Sequence, residues 1–266
     1  MNYRLIAIDL DGTLLNNENI ISKNAKKKIA KLNKLGVKII IATGRMFVSA
    51  LPYVKELKLK NPVITYNGAL IKNVSNKEII YHKPVPQSEA KKIIKECNKE
   101  NLHLNLYQDD TLYVDNNSQE SRGYEQSSGV KAHEVGPLLK FIDRSPTKLL
   151  IIEENREKHQ YYLNYFQEKF SDKLEISESK KNYIEFMSKG VSKGNSLKFL
   201  TEKYDIKQKE VIAIGDNWND LPMLKWAGLG IAMENAPDEL KQKVDKIAPA
   251  RKNEGVGHIL SEVFNI

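Results

Sequence analysis

Leu5-Ile6-Ala7-Ile8-Asp9-Leu10-Asp11-Gly12-Thr13 is the stretch that decides the reading of this chain: an apolar run that ends in two carboxylates one residue apart, with glycine directly after. Side chains two apart on a strand point the same way. Asp9 and Asp11 therefore crowd like charge into one mouth unless a cation or a shared chemical task compensates. Two such groups can divide nucleophilic and acid/base work. The plain alternative is a strand running into an ordinary Asp-Gly turn.

Three further stretches weigh against that alternative. Ile39-Ile40-Ile41-Ala42-Thr43-Gly44-Arg45 is a second apolar strand, ending in a hydroxyl, a glycine and a guanidinium. Val191-Ser192-Lys193-Gly194 sets a lysine ahead of a helical segment. Val211-Ile212-Ala213-Ile214-Gly215-Asp216-Asn217-Trp218-Asn219-Asp220 is a third strand with two more acids at its end.

In order and in context these four stretches resemble the motifs of the haloacid dehalogenase superfamily of phosphohydrolases. Asp-Leu-Asp-Gly-Thr, Ala-Thr-Gly-Arg, Lys193 and Gly-Asp-Asn-x-Asn-Asp look like its Cof-type branch, subfamily IIB. The resemblance implies an α/β fold, a Rossmann-like parallel-sheet core with an inserted α+β cap domain of C2 type. It places the core in residues 1–83 and 187–266 and the cap in 84–186. The motifs and their flanking strands cover roughly residues 3 to 82 and 187 to 258. The middle is matched only by length and pattern.

The residue types fit phosphoryl transfer. A phosphate monoester carries close to two negative charges near neutral pH and repels an anionic attacker, so hydrolysis needs a nucleophile held in line and cations that cancel charge. Asp9 is the candidate nucleophile, forming an aspartyl-phosphate. Asp11 then protonates the leaving oxygen and later takes a proton from the attacking water. Mg²⁺ prefers six oxygen ligands and keeps several waters, so the chain needs to offer only two or three. Asp9 and Asp216 supply carboxylates, and the family analogy adds the backbone carbonyl of Asp11. Asp220 is an auxiliary that holds a coordinated water or the position of Lys193. Thr43 offers a hydroxyl, Gly44 a backbone N–H, Asn219 an amide and Lys193 a point charge to phosphoryl oxygens, and Leu10 completes this phosphate-binding set. Taken singly, Thr43 also reads as a helix cap and Lys193 as a surface lysine. Arg45, Asn67 and Gly68 are weaker candidates for substrate contact, since Asn-Gly between apolar runs is equally a hairpin signal.

Composition agrees with a soluble two-domain enzyme. At 266 residues the chain exceeds a typical single domain. No apolar run reaches the roughly 18 to 20 residues needed to span a bilayer, and Met1-Asn2-Tyr3-Arg4 leads into a strand without a signal-peptide pattern, so the expected location is the cytoplasm and no membrane partner is expected. The lone Cys97 agrees with a reducing compartment. The net charge of +8 raises nucleic acid as a partner. However, Lys23, Lys26, Lys27, Lys28, Lys31 and Lys34 share a segment in which Ala25, Ile29, Leu32 and Leu35 recur at helical spacing. Most of the charge is therefore a solvated helix face, and the expected partner is a small phosphorylated metabolite. The five histidines lack ligand spacing for zinc.

The amino-terminal third alternates strand and helix: Leu5 to Leu10, the lysine-rich helix capped by Ser22 and ended by Gly36, Val37 to Ala42, Phe47 to Leu57, Val63 to Tyr66. Such alternation indicates a parallel, doubly covered sheet whose ligands sit at the carboxyl ends of the strands. After His82, Lys83-Pro84-Val85-Pro86 reads as a linker, followed by α+β material to about Glu185 and then the core again. A phosphomutase on the same scaffold, a phospho-accepting receiver domain and a non-catalytic sugar-phosphate sensor are the competing functions. A persistent signalling phosphate is disfavoured by Asp11, which would destroy it. Substrate and oligomeric state are open at this level.

Overall fold

The structure is a computed structural model that describes residues 3–249 and 254–266. The chain forms two compact units, one built from the segment up to Ile80 together with that from Ser192 onward, the other from Tyr81–Val191.

In the first unit β1 (Leu5–Ile8), α1 (Lys23–Lys34), β2 (Lys38–Ile41), α2 (Phe47–Glu56), β3 (Val63–Thr65) and β4 (Leu70–Lys72) follow one another, and β5 (Ile79–His82) carries the chain out. The second unit holds α3 (Gln87–Glu100), β6 (His103–Gln108), β7 (Thr111–Val114), α4 (Gln119–Ser128), β8 (Ala132–Glu134), α5 (Leu138–Phe141), β9 (Lys148–Ile152), α6 (Arg156–Phe170), β10 (Leu174–Lys180) and β11 (Tyr183–Ser188). The chain then resumes the first unit with α7 (Lys193–Lys203), β12 (Val211–Gly215), α8 (Leu221–Trp226), β13 (Leu229–Met233), α9 (Asp238–Lys241), β14 (Lys246–Ala248) and α10 (Gly255–Phe264).

The first unit's main sheet has the order β14-β13-β12-β1-β2, and every pairing in it is parallel. A parallel bridge from Ala42 to Ile64 sets β3 beside the end of β2. Leu5, Ile6 and Ile8 are wholly buried, as strands covered on both faces require. Each such side chain contributes about 1.5–3 kcal/mol of burial. α1 buries Ala25, Ile29 and Leu32 and leaves its lysines outside; the Ser22 hydroxyl accepts from the Ala25 N–H at its start. The parallel direction puts the ends of β1, β2 and β12 at one edge of the sheet. Asp9, Thr43 and Asp216 follow these ends.

The second unit is a sheet of order β10-β11-β9-β6-β7-β8. On one face Leu104, Leu106, Leu149, Ile151, Ile184 and Phe186 join Ile93, Ile94 and Cys97 of α3 and Phe166 and Phe170 of α6 in one apolar cluster. The alternate residues of the same strands, Asn105, Tyr107, Lys148 and Glu185, are also buried. There Lys148 Nζ donates to Glu185 Oε1 at 2.8 Å, the Ser179 hydroxyl donates to the same oxygen at 2.9 Å, and the ammonium lies 5.0 Å from the Tyr107 ring centre.

The crossings between units fall at 80/81 and 191/192 rather than at 83/84 and 186/187. The linker is tied into the second unit by the Val85 N–H on the Pro146 carbonyl, and β11 runs on to Ser188 as a strand of that unit's sheet. Among the described residues no helix is long and apolar enough to cross a membrane.

Candidate active site

At the end of β1 the Asp9 N–H donates to the Ile214 carbonyl at 3.0 Å, and the Asp9 side chain is buried against β12. The chain then folds back, with the Leu15 N–H on the Leu10 carbonyl at 2.8 Å. Leu10 is wholly buried. Gly12 has φ +78, and a Cβ there would lie 2.2 Å from Asp216 Oδ2, so both conformation and space require glycine. Asp216 follows β12. Its Oδ1 accepts from the Thr13 hydroxyl at 2.8 Å, and its Oδ2 accepts from Asn235 Nδ2 at 3.1 Å; the same Asn235 amide reaches the Gly12 carbonyl at 3.0 Å.

Lys193 opens α7, whose first turn is capped by the Ser192 hydroxyl accepting from the Asn195 N–H. Its side chain is wholly buried, and Nζ donates to Asp9 Oδ1 and Asp220 Oδ1, both at 2.6 Å. Asp220 Oδ2 accepts the N–H groups of Asp216 and Asn217 at 3.0 Å each. Both Asp220 oxygens are thereby committed, one to Lys193 and one to the turn that presents Asp216.

One carboxylate oxygen from each of Asp9, Asp216 and Asp220 lies within 4.8 Å of the others. Burial, then the Asp220 charge, raises the Asp9 carboxyl well above its usual range, with Asp216 adding and Lys193 opposing. Asp216 is raised to about 6, by burial first and Asp220 next. Burial alone would lower Lys193, but Asp220 and Asp9 outweigh it and hold the ammonium charged. Two unit charges about 4 Å apart repel by roughly 4 kcal/mol at an effective dielectric of 20. One ammonium does not balance three carboxylates. The donors are hard oxygens that converge within 4.8 Å and carry more negative charge than Lys193 offsets, so the residues fit a hard divalent cation.

The other expected site residues gather beside this cluster, with one exception. Thr43 is wholly buried; its N–H donates to the Ile64 carbonyl at 2.9 Å and its hydroxyl accepts from the Arg45 N–H at 3.1 Å, so it closes a turn after β2 and does not cap α2, whose N-cap is Met46. Asn67 and Gly68 do form the hairpin turn that joins β3 to β4. Tyr66, Asn67 and Gly68 have φ of 51, 53 and 105 in succession. A Cβ on Gly68 would lie 2.3 Å from the Ser192 carbonyl, and the Gly68 carbonyl accepts from the Ser196 hydroxyl at 2.6 Å, which ties the turn to the start of α7. The same turn sets Asn67 Oδ1 to accept from Asn219 Nδ2 at 2.9 Å, close over Gly44. The exception is Asp11. Its side chain is 54% exposed and faces Arg45 rather than Lys193. Trp218 is an exposed rim residue.

Thr13, Ser196 and Asn235 were not singled out by sequence reasoning. Asn235 follows β13, the next parallel strand, and the rule that ligands gather beyond the carboxyl ends of such strands is the signal that finds it.

Comparison with known proteins identifies the family and the fold. The profile of the haloacid dehalogenase-like hydrolases matches residues 6–260. A Thermotoga maritima protein of known crystal structure is 34% identical with a TM-score of 0.88, covering 98% of this chain and 97% of its own. A haloacid dehalogenase-like hydrolase from Bacteroides thetaiotaomicron is 27% identical with a TM-score of 0.90, covering 98% and 100%. A Bacillus subtilis protein named 5-amino-6-(5-phospho-D-ribitylamino)uracil phosphatase YcsE is 32% identical over 259 residues, 96% of this chain and 94% of that protein.

Proposed function

The chain belongs to the haloacid dehalogenase-like hydrolases, and from that premise we propose that it hydrolyses small phosphate monoesters through a phosphoryl group carried on Asp9, with Mg²⁺ as cofactor. The observation that carries this reading is the cluster of Asp9, Asp216 and Asp220, two of which share a single buried ammonium. That cluster has an excess of negative charge at the place where an anionic substrate must bind.

The Asp9 carboxylate attacks phosphorus as the bond to the leaving oxygen breaks, and Asp11 gives that oxygen its proton. Water then attacks the aspartyl-phosphate, Asp11 takes the proton back, and phosphate leaves with the Asp9 carboxylate restored. Lys193, held on both sides, spreads positive charge over the phosphoryl oxygens, with Thr43, Gly44, Asn219 and the Leu10 N–H as further donors. Asp9, Asp216 and the Asp11 carbonyl would hold Mg²⁺, which when bound supplies positive charge against the phosphoryl group. Asp220 keeps Lys193 and Asp216 in place. No residue given a part in phosphoryl transfer lies within Tyr81–Val191, and we assign to that unit the choice of leaving group. The partner is a small phosphorylated metabolite, with the polyol phosphate in the name of the Bacillus subtilis relative among the candidates.

The test is phosphate release from an aryl phosphate, hexose and pentose phosphates, pyridoxal phosphate and that ribitylamino-uracil phosphate, with Mg²⁺ and with chelator. Turnover is expected in Mg²⁺, lost in chelator and restored by added Mg²⁺. Turnover that persists in chelator, or that only zinc restores, contradicts the cofactor assignment.

A further inference from the structure

Asp11 is the exposed member of the site, yet its carboxylate is held at every oxygen by one side chain. Arg45 Nε donates to Asp11 Oδ2 at 2.8 Å and to Oδ1 at 3.1 Å, and Nη2 donates to Oδ1 at 2.5 Å. The guanidinium has further contacts on its other side. Nη2 donates to Asn19 Oδ1 at 3.1 Å, Nη1 reaches the Tyr53 hydroxyl at 3.5 Å, and the guanidinium carbon lies 5.2 Å from the Tyr53 ring centre. The Arg45 main chain and Asn19 are themselves held. The Arg45 N–H rests on the Thr43 hydroxyl and its carbonyl accepts from the Tyr66 N–H at 3.0 Å. Asn19 sits at φ 59 in a tight turn in which its N–H donates to the Asn16 carbonyl at 2.9 Å.

An ordinary surface ion pair has two mobile partners and contributes little to stability. Here the cation is only 17% exposed while the anion is 54% exposed. The fork orients both carboxylate oxygens at once, which a point charge does not do. A group that must meet a leaving oxygen and then a water needs such orientation, because small displacements in a reacting geometry cost large factors in rate. We propose that Arg45 is a positioning residue for Asp11, acting on catalysis through that carboxylate and not through contact with the substrate. The proposal rests on the reading of Asp11 as acid and base.

The experiment is a double-mutant cycle on the full chain, using Arg45→Ala and Arg45→Lys, each alone and combined with Asp11→Asn, with one alkyl and one aryl phosphate as substrates. For Arg45→Ala, kcat on the alkyl ester is expected to fall about thirtyfold or more, kcat on the aryl ester much less, and KM to stay within about threefold, since proton delivery matters most to a poor leaving group. Arg45→Lys keeps the charge without the fork and is expected to rescue little. On the Asp11→Asn background neither substitution should slow turnover further, because the group it positions is gone. A raised KM with kcat preserved, or a loss carried in full onto Asp11→Asn, overturns the proposal. If Arg45→Ala does not fold, Arg45→Lys and Asn19→Ala run through the same cycle decide it. A near wild-type rate for Asp11→Asn alone would instead defeat the acid/base reading, which separates the two failures.

Discussion

Among the described residues two lysines are buried beside carboxylates, one in each unit, and they differ in charge balance. Lys193 meets Asp9 and Asp220 at 2.6 Å each, with Asp216 completing a group of three acids around one cation. Lys148 meets Glu185 alone at 2.8 Å, with the Ser179 hydroxyl and the Tyr107 ring completing its surroundings. Both ammonium groups are driven upward in pKa by their carboxylates against the effect of burial. In the pair around Lys148 one ammonium faces one carboxylate. Around Lys193 the charges do not cancel, and protonation of a carboxyl or a bound cation can meet the excess. Burial of charge therefore does not identify a functional site by itself; uncompensated burial does.

The sharpest way to break this comparison is to remove each cation. Lys193→Met should lower turnover by about a thousandfold, as expected when a charge aimed at the reacting group is lost. Lys148→Met should leave turnover of a small aryl phosphate within about twofold. Steady-state assays on the two folded variants check both, and equal losses would erase the distinction. A second contrast lies in stability. Lys148→Met removes the ammonium that faces Glu185 and should cost about 3–5 kcal/mol, while adding Glu185→Leu should recover most of it, because a buried pair replaced as a whole by apolar groups is close to neutral. Urea unfolding of the single and double variants measures this; a double variant no better than the single would mean the pair does more than balance itself.

The smallest effect concerns pH. Asp216 is raised to about 6 from an ordinary 3.8, so its protonated form is the one favoured by folding. The stability this gives the cation-free protein is fully present below about 4 and is lost as pH rises through about 6. A divalent cation needs the ionised form. The rise in melting temperature produced by Mg²⁺ should accordingly be larger at pH 7.5 than at pH 5. A shift that is the same at both values would remove Asp216 from the cation site.

How much of this was legible beforehand follows from the same physics. The strands of the first unit are covered on both faces, so β1, β2 and β12 stand out as unbroken apolar runs, and the acids that end them stand out by contrast. β10 reads Leu-Glu-Ile-Ser-Glu-Ser-Lys, with only Leu174 and Ile176 alternating inward, and α4 buries only Ser121 among its ten residues, so both signals are weak. Lys148 and Glu185 are brought together only by the antiparallel register of β9 on β11, in which Glu185 lies opposite Leu150. No spacing in the sequence encodes that. Asn67-Gly68 supported two readings. The hairpin is realised, and its left-handed turn also carries the Asn67 amide to Asn219, which only the fold could add. Arg45 was legible as a member of its motif, but its engagement with Asp11 was not, because it depends on a side-chain fork crossing from the end of β2 to the end of β1.

The central claim is that the charge-rich cluster exists to carry a phosphoryl group on Asp9, and it is tested most directly by trapping that group. Asp11→Asn protein mixed with an aryl phosphate in Mg²⁺ and quenched in acid should yield a phosphorylated peptide containing Asp9, because a good leaving group needs little help to depart while hydrolysis of the intermediate has lost its base. The same peptide from Asp9→Asn protein should be unmodified. Turnover by Asp11→Asn with no phosphoryl group on that peptide at any quench time, or near wild-type turnover by Asp9→Asn, would contradict the account.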